Sequence, residues 1–235
     1  VPQEYQAFGK KLLQELPKCE VEETKFMGYC KPWNKSIYHY FNVNEENHFG
    51  GMVSKGVVYI TAIPVAWEEL NSSFFLKENN DTCVTPLLAH ESLHTFVGKK
   101  MPMWANEGLV RYFNGIYLNF SYNSPGGKYC DYNISQVVIC FDQSCGDKES
   151  IPFADLGLVS ANVGSGDAVE TAMCMWDTLF NKYGQEKMQK VLLKVAQEEN
   201  FNSVTSNNFV IYFLAPTLGQ GVWEDLKQFG ISKDD

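Results

Sequence analysis

The chain has 235 residues, 45% of them hydrophobic, and a formal net charge of −9. Length and apolar content suit one sizeable core, in a single domain or a domain of two lobes, and exclude a disordered chain. The acidic balance and the lack of a dense basic run argue against nucleic acid or an anionic membrane as partner, and no apolar run approaches the roughly 20 residues of a membrane span.

In chain order, residues 4 to 16 place Tyr5, Phe8, Leu12, Leu13 and Leu16 at helical spacing, with Pro17 as the expected stop. The stretch "SIYHYFNV" (36 to 43) is β-branched and aromatic with a rough alternation, and reads as a strand. "GGMVSKGVVYITAIP" (50 to 64) reads as a hairpin whose second strand runs from Val57 to Ile63. An edge strand beside a catalytic helix can hold an extended peptide by main-chain hydrogen bonds, so Val57, Tyr59 and Thr61 are candidate substrate-binding residues. "AWEELNSSFFLKENND" is expected to be a short helix and a polar loop.

Thr85-Pro86 then starts a helix, with a hydroxyl cap and Pro at the first helical position, and Gly98 is its natural stop. After a four-residue link, "KKMP", residues 103 to 113 can form three further turns. Residues 114 to 150, rich in Gly, Asn, Ser, Tyr and Cys, read as an irregular excursion braced by disulfides. The last third is helical: "GDAVETAMCMWDTLFNKYG" carries Ala168, Thr171, Ala172, Met175, Trp176, Leu179 and Phe180 on one side, followed by "QEKMQKVLLKVAQEENF" and "GVWEDLKQFG".

Seven cysteines stand at 19, 30, 83, 130, 140, 145 and 174, none in a Cys-x-x-Cys pair. Cys19 and Cys30 flank a short polar segment, and Cys130, Cys140 and Cys145 crowd one region. That clustering points to disulfides and an oxidising compartment, with Cys174, inside an apolar helix, as the expected buried free thiol. Asn-x-Ser/Thr sequons at Asn34, Asn71, Asn80, Asn119 and Asn133 point the same way, to a secreted or lumenal glycoprotein.

The chemistry concentrates in "LLAHESLHTFVGKKMPMWANEGLVRYFNG", residues 87 to 115. His90 and His94 are four apart on one helix, so both imidazoles leave the same face about one turn apart and can converge on one ion. Glu91, about a quarter-turn away, is placed to act on a water instead of the metal. This is the HExxH arrangement of two neutral ligands and one general base.

Leu87, Leu88, Phe96 and Val97 make the helix apolar elsewhere, which puts the histidines in a largely buried setting that a metal would satisfy. A third protein ligand is then needed. His39 and His48 are the other histidines; the Gly and third His of a metzincin are replaced by Val97 and Lys100. Glu107, in "WANEG" on the returning helix, is the better candidate, with Gly108 beside it allowing close approach of the two helices. Arg111, four residues on, shares that face and could hold the ligand carboxylate, meet a substrate carbonyl or carboxylate, or form a surface ion pair. Tyr112 lies well round the helix.

"HESLH" followed by "MWANEGLVRYF" resembles the gluzincin branch of HExxH zinc metallopeptidases, the peptidase MA-like group. The resemblance spans roughly residues 36 to 200 and is specific in 87 to 115. It implies Zn2+ held by His90, His94 and Glu107, with Glu91 as general base for hydrolysis of peptide bonds by a metal-activated water. The strand from Val57 is similar to the family's substrate-aligning edge strand, and "FNKYGQEKMQKVLLK" to its back-half helices. The gap between His94 and Glu107 is short for the group. The back-half helix has no tyrosine between Ala161 and Lys182, only Tyr183 at its end, so no oxyanion donor is assigned.

The expected fold is a zincin-like α+β domain covering 1–235. A small mixed or antiparallel sheet and the HExxH helix form an upper lobe (about 1–98), and a mainly helical lower lobe follows (about 99–235). The expected partner is a peptide or protein substrate. The competing readings are another zinc amide hydrolase, and a peptidase-like module that binds without catalysis.

Overall fold

The computed structural model describes residues 3–29, 36–40, 50–54, 57–61, 83, 85–97, 101–118, 136–140, 148–152, 166–198, 205–229, 231 and 233. The chain separates into two compact units, Val1–Phe96 and Val97–Asp235.

In the first unit, helix α1 (Gln3–Met27) runs straight through Pro17, where the sequence led us to expect its end. A proline inside a helix costs about 3 kcal/mol through its missing N–H and the clash with the preceding turn. The residues beyond it explain why the helix continues. Leu12, Leu16, Cys19, Glu23, Phe26 and Met27 form one buried stripe at helical spacing, whereas Pro17 faces outward. Burying Phe26 and Met27 contributes roughly 1.5–3 kcal/mol each, enough to offset the proline. Gly28 ends the helix at φ 76°, donating its N–H to the Thr24 carbonyl at 2.9 Å.

Three five-residue strands follow: β1 (Ser36–Tyr40), β2 (Gly50–Ser54) and β3 (Val57–Thr61). Their order is β1-β3-β2, with β3 parallel to β1 and antiparallel to β2. The strand expected to offer a free edge is therefore the middle one, with main-chain partners on both sides. Helix α2 (Pro86–Val97) completes the unit, its last residue being counted with the second.

The second unit contains α3 (Met103–Tyr112), extended by a π-helical turn (Phe113–Tyr117), and an antiparallel pair, β4 (Gln136–Cys140) and β5 (Lys148–Pro152). Then come α4 (Gly166–Tyr183), α5 (Gln185–Gln197), α6 (Ser206–Phe209), a π-helical stretch (Val210–Leu214), α7 (Ala215–Leu218), α8 (Val222–Leu226) and a 3₁₀ turn (Lys227–Phe229). Trp104, Trp176, Phe113, Phe209 and Phe213 fill its core. The Trp176 ring meets Phe209 edge to face at 6.1 Å.

The α+β class expected from sequence is corrected: the protein is mainly helical. Most of the described residues lie in helices, and the largest fully buried side chains, Trp104, Trp176, Phe26 and Phe113 among them, stand on helical segments. Strand propensity in the front half was read from isolated five- to eight-residue runs, too short to set the class against a 25-residue helix stabilised by a continuous apolar stripe.

Cys19 on α1 is bonded to Cys83, 64 residues away, a pairing that the sequence left open. Cys174, expected as a free thiol, is also disulfide-bonded. The five sequon asparagines, His48, the helix expected near residue 66, and Cys130 and Cys145 lie outside the described residues.

Candidate metal centre

The centre is assembled from two consecutive helices. On α2 the sequence puts Pro at the first helical position, where its missing N–H costs nothing, and the Thr85 carbonyl accepts the first helical bond from Ala89 at 3.0 Å. The expected hydroxyl cap is not made: Thr85 Oγ1 is buried without a hydrogen-bond partner. Leu88, Ala89, Glu91, Ser92, Leu93, Thr95, Phe96 and Val97 are buried, and Leu87, His90 and His94 form the one partly exposed stripe. The histidines are thus part-buried, among neighbours that are buried as expected. A helix with apolar residues on most of its circumference turns its least apolar face outward.

Their Nε2 atoms face each other at 3.2 Å, with ring centroids 4.8 Å apart and planes at 79°. Two neutral imidazoles placed Nε2 to Nε2 need either one shared proton or a cation. Tetrahedral ligands at 2.0–2.1 Å from zinc lie about 3.3 Å from one another, so the spacing matches a pair ready for metal. Glu91, one residue beyond His90, is only 5% exposed and sits about 100° round the helix from it.

Two links, one to α1 and one to Tyr29 just beyond its end, hold this helix near both ends. The Cys19–Cys83 disulfide anchors the segment just before its first turn. At the other end Tyr29 donates its hydroxyl to the Phe96 carbonyl at 3.1 Å, and the two rings meet edge to face at 5.7 Å. Burial pushes the Tyr29 phenol well above its ordinary pKa, so it stays a donor at any physiological pH.

The α3 helix is held from inside its own unit. Gly108 meets Ala172 of α4 so closely that a Cβ there would lie 2.3 Å from the alanine Cβ and 2.7 Å from its carbonyl carbon. Close approach at Gly108 therefore admits α4. The indole N–H of Trp176 donates to the Ala105 carbonyl at 2.8 Å, and that of Trp104 to Ser206 Oγ at 3.1 Å.

With that face pinned, Asn106, Glu107 and Arg111 are left half-buried. One ligand atom from each of His90, His94 and Glu107 lies within 4.8 Å of the other two. Two imidazoles and one carboxylate form a nitrogen and oxygen donor set that suits zinc and leaves a coordination position for substrate or water. The group can hold a metal ion.

The remaining candidates part from this centre. Val57, Tyr59 and Thr61 lie on the doubly paired β3, which corrects the free-edge role expected for them. Tyr112 is buried and stacked on Phe180 at 4.7 Å, with its pKa pushed up to about 12 by burial and by the charge of Asp177. Burial raises the Asp177 carboxyl in turn, although Asn181 donates to it at 3.0 Å. Tyr183 donates its hydroxyl to Asp225 at 2.5 Å, and Lys182 pairs with the same carboxylate. Both tyrosines are thereby tied to partners of their own.

Sequence reasoning missed Tyr29 and Trp176, which hold the two helices. Neither carries a local signal, since their partners are 67 and 71 residues away. No family model matches the chain, and no curated protein or solved structure similar to it was found. Among the described residues, no helix is long and apolar enough to cross a membrane.

Proposed function

We propose that the chain is a zinc-dependent peptidase, with His90, His94 and Glu107 as metal ligands and Glu91 as general base. The observation that carries this reading is the convergence of three ligand atoms within 4.8 Å, on two helices that also present Glu91 one position after the first ligand. Bound there, zinc supplies polarisation of a scissile carbonyl and acidification of a water.

The chain's own residues do the rest. His90 and His94 bind through Nε2 in their neutral form, with the helix fixing their spacing at 3.2 Å. Glu107 adds one negative charge to the ligand set. Glu91 takes the proton of the attacking water on its carboxylate and passes it to the leaving amine as the peptide bond breaks. Its burial keeps bulk water from competing for that proton. The bonded Cys19, Cys83 and Cys174 support work in an oxidising compartment, secreted or lumenal.

The test is metal content and turnover together. The purified chain is expected to retain one zinc, to lose it in His90→Ala and His94→Ala, and to keep it in Glu91→Gln. In that last variant cleavage of a mixed peptide pool should fall by roughly 10²- to 10⁴-fold, the span of general-base catalysis. A Glu91→Gln chain cleaving at the parent rate would remove the assignment of the base. A zinc-bearing chain that cleaves no peptide would point instead to a binding module.

A further inference from the structure

We infer that Arg111 anchors the C-terminal carboxylate of a short peptide, one or two residues beyond the scissile bond. The inference rests on the peptidase reading and names its substrate class. Glu107 and Arg111 are four apart on α3, so they share its half-buried stripe between buried neighbours, with the arginine about 6 Å further along the axis. A Glu and an Arg in this relation ordinarily pair with each other.

Here Arg111 has no ion pair or hydrogen bond among the described residues. The Glu107 carboxylate lies with the two imidazoles instead. The surface ion pair allowed by the sequence is therefore not formed among the described residues, and Arg111, half-buried as a residue, stands one turn on from Glu107 on the same helix.

Charge says what it can bind. A divalent ion held by two neutral imidazoles and one carboxylate keeps a net charge of about +1, and a guanidinium one turn away adds another. Like charges at that range repel unless an anion meets both. A peptide rises about 3.3–3.6 Å per residue, so a carboxylate one or two residues past a carbonyl at the metal spans the step of one helical turn. The planar fork of arginine matches such a carboxylate in bidentate geometry.

The test reads binding, so it does not depend on turnover. An N-acetyl tetrapeptide library in two forms, free acid and C-terminal amide, competes at equal concentration for the Glu91→Gln chain. Zinc-loaded and metal-free samples are run in parallel, and mass spectrometry counts what is retained. Acid forms should be enriched about tenfold in both samples, the enrichment should vanish in Arg111→Gln, and part of it should remain in Arg111→Lys. Equal retention of acid and amide, including no retention of either, overturns the inference, as does enrichment that survives Arg111→Gln. A chain that takes up no zinc yet shows the arginine-dependent enrichment supports the anchor while removing the peptidase reading.

Discussion

The two helices that carry the candidate metal ligands are secured in different ways. The histidine helix is held near its ends by two long-range links, a disulfide to α1 and a hydrogen bond from Tyr29 just beyond it. The glutamate helix is held along its middle, where Gly108 lies against Ala172 and Trp176 reaches the Ala105 carbonyl. End anchoring fixes where a helix lies while leaving one stripe of it part-exposed. Interior anchoring works by shape, because a missing side chain lets two backbones meet and turns Glu107 and Arg111 away from the contact.

The largest break in this comparison is expected from Cys19→Ser with Cys83→Ser. Opening a loop of 64 residues removes roughly 4 kcal/mol by the chain-entropy account of disulfides. Urea unfolding should show it, and hydrogen exchange should speed up in residues 86–97 before residues 103–112. Equal acceleration in both helices would mean that the disulfide serves the whole chain and not the histidine helix.

Gly108→Ala comes next. Overpacking costs about 1–3 kcal/mol, against a gain of about 1 kcal/mol in helix propensity. The contact includes backbone atoms of Ala172, which cannot swing aside, so the strain should win. Thermal unfolding of Gly108→Ala beside Gly108→Ala with Ala172→Gly should show destabilisation in the first and partial recovery in the second. No recovery would place the strain elsewhere.

Tyr29→Phe should have the smallest effect, about 1 kcal/mol for one hydrogen bond lost while the ring contact with Phe96 remains. Its loss should appear in exchange at the C-terminal end of the histidine helix. A change larger than that of Gly108→Ala would reverse the order of importance drawn between end and interior anchoring.

Much of the site was legible because its geometry is local. The i to i+4 spacing of His90 and His94, the place of Glu91 between them, and the Pro86 start all follow from helix geometry. The turn back to a second helix carrying Glu107 needed only a short link. The fold was less legible, and Pro17 shows why. One residue's preference is a weak prior, and the helix passes through it because Cys19, Phe26 and Met27 have a core to enter.

Taken alone, the sequence determined which residues could ligate a metal and where the back-half helices bury their apolar sides, since both depend on the 3.6-residue period. Tertiary structure decided the mainly helical class, the pairing of Cys19 with Cys83, the seat of Ala172 against Gly108, the central place of β3, and, among the described residues, the lack of an ion pair at Arg111. Each of these depends on which surfaces meet across long stretches of chain. That choice is made by packing and burial summed over many residues, which no single window of sequence contains.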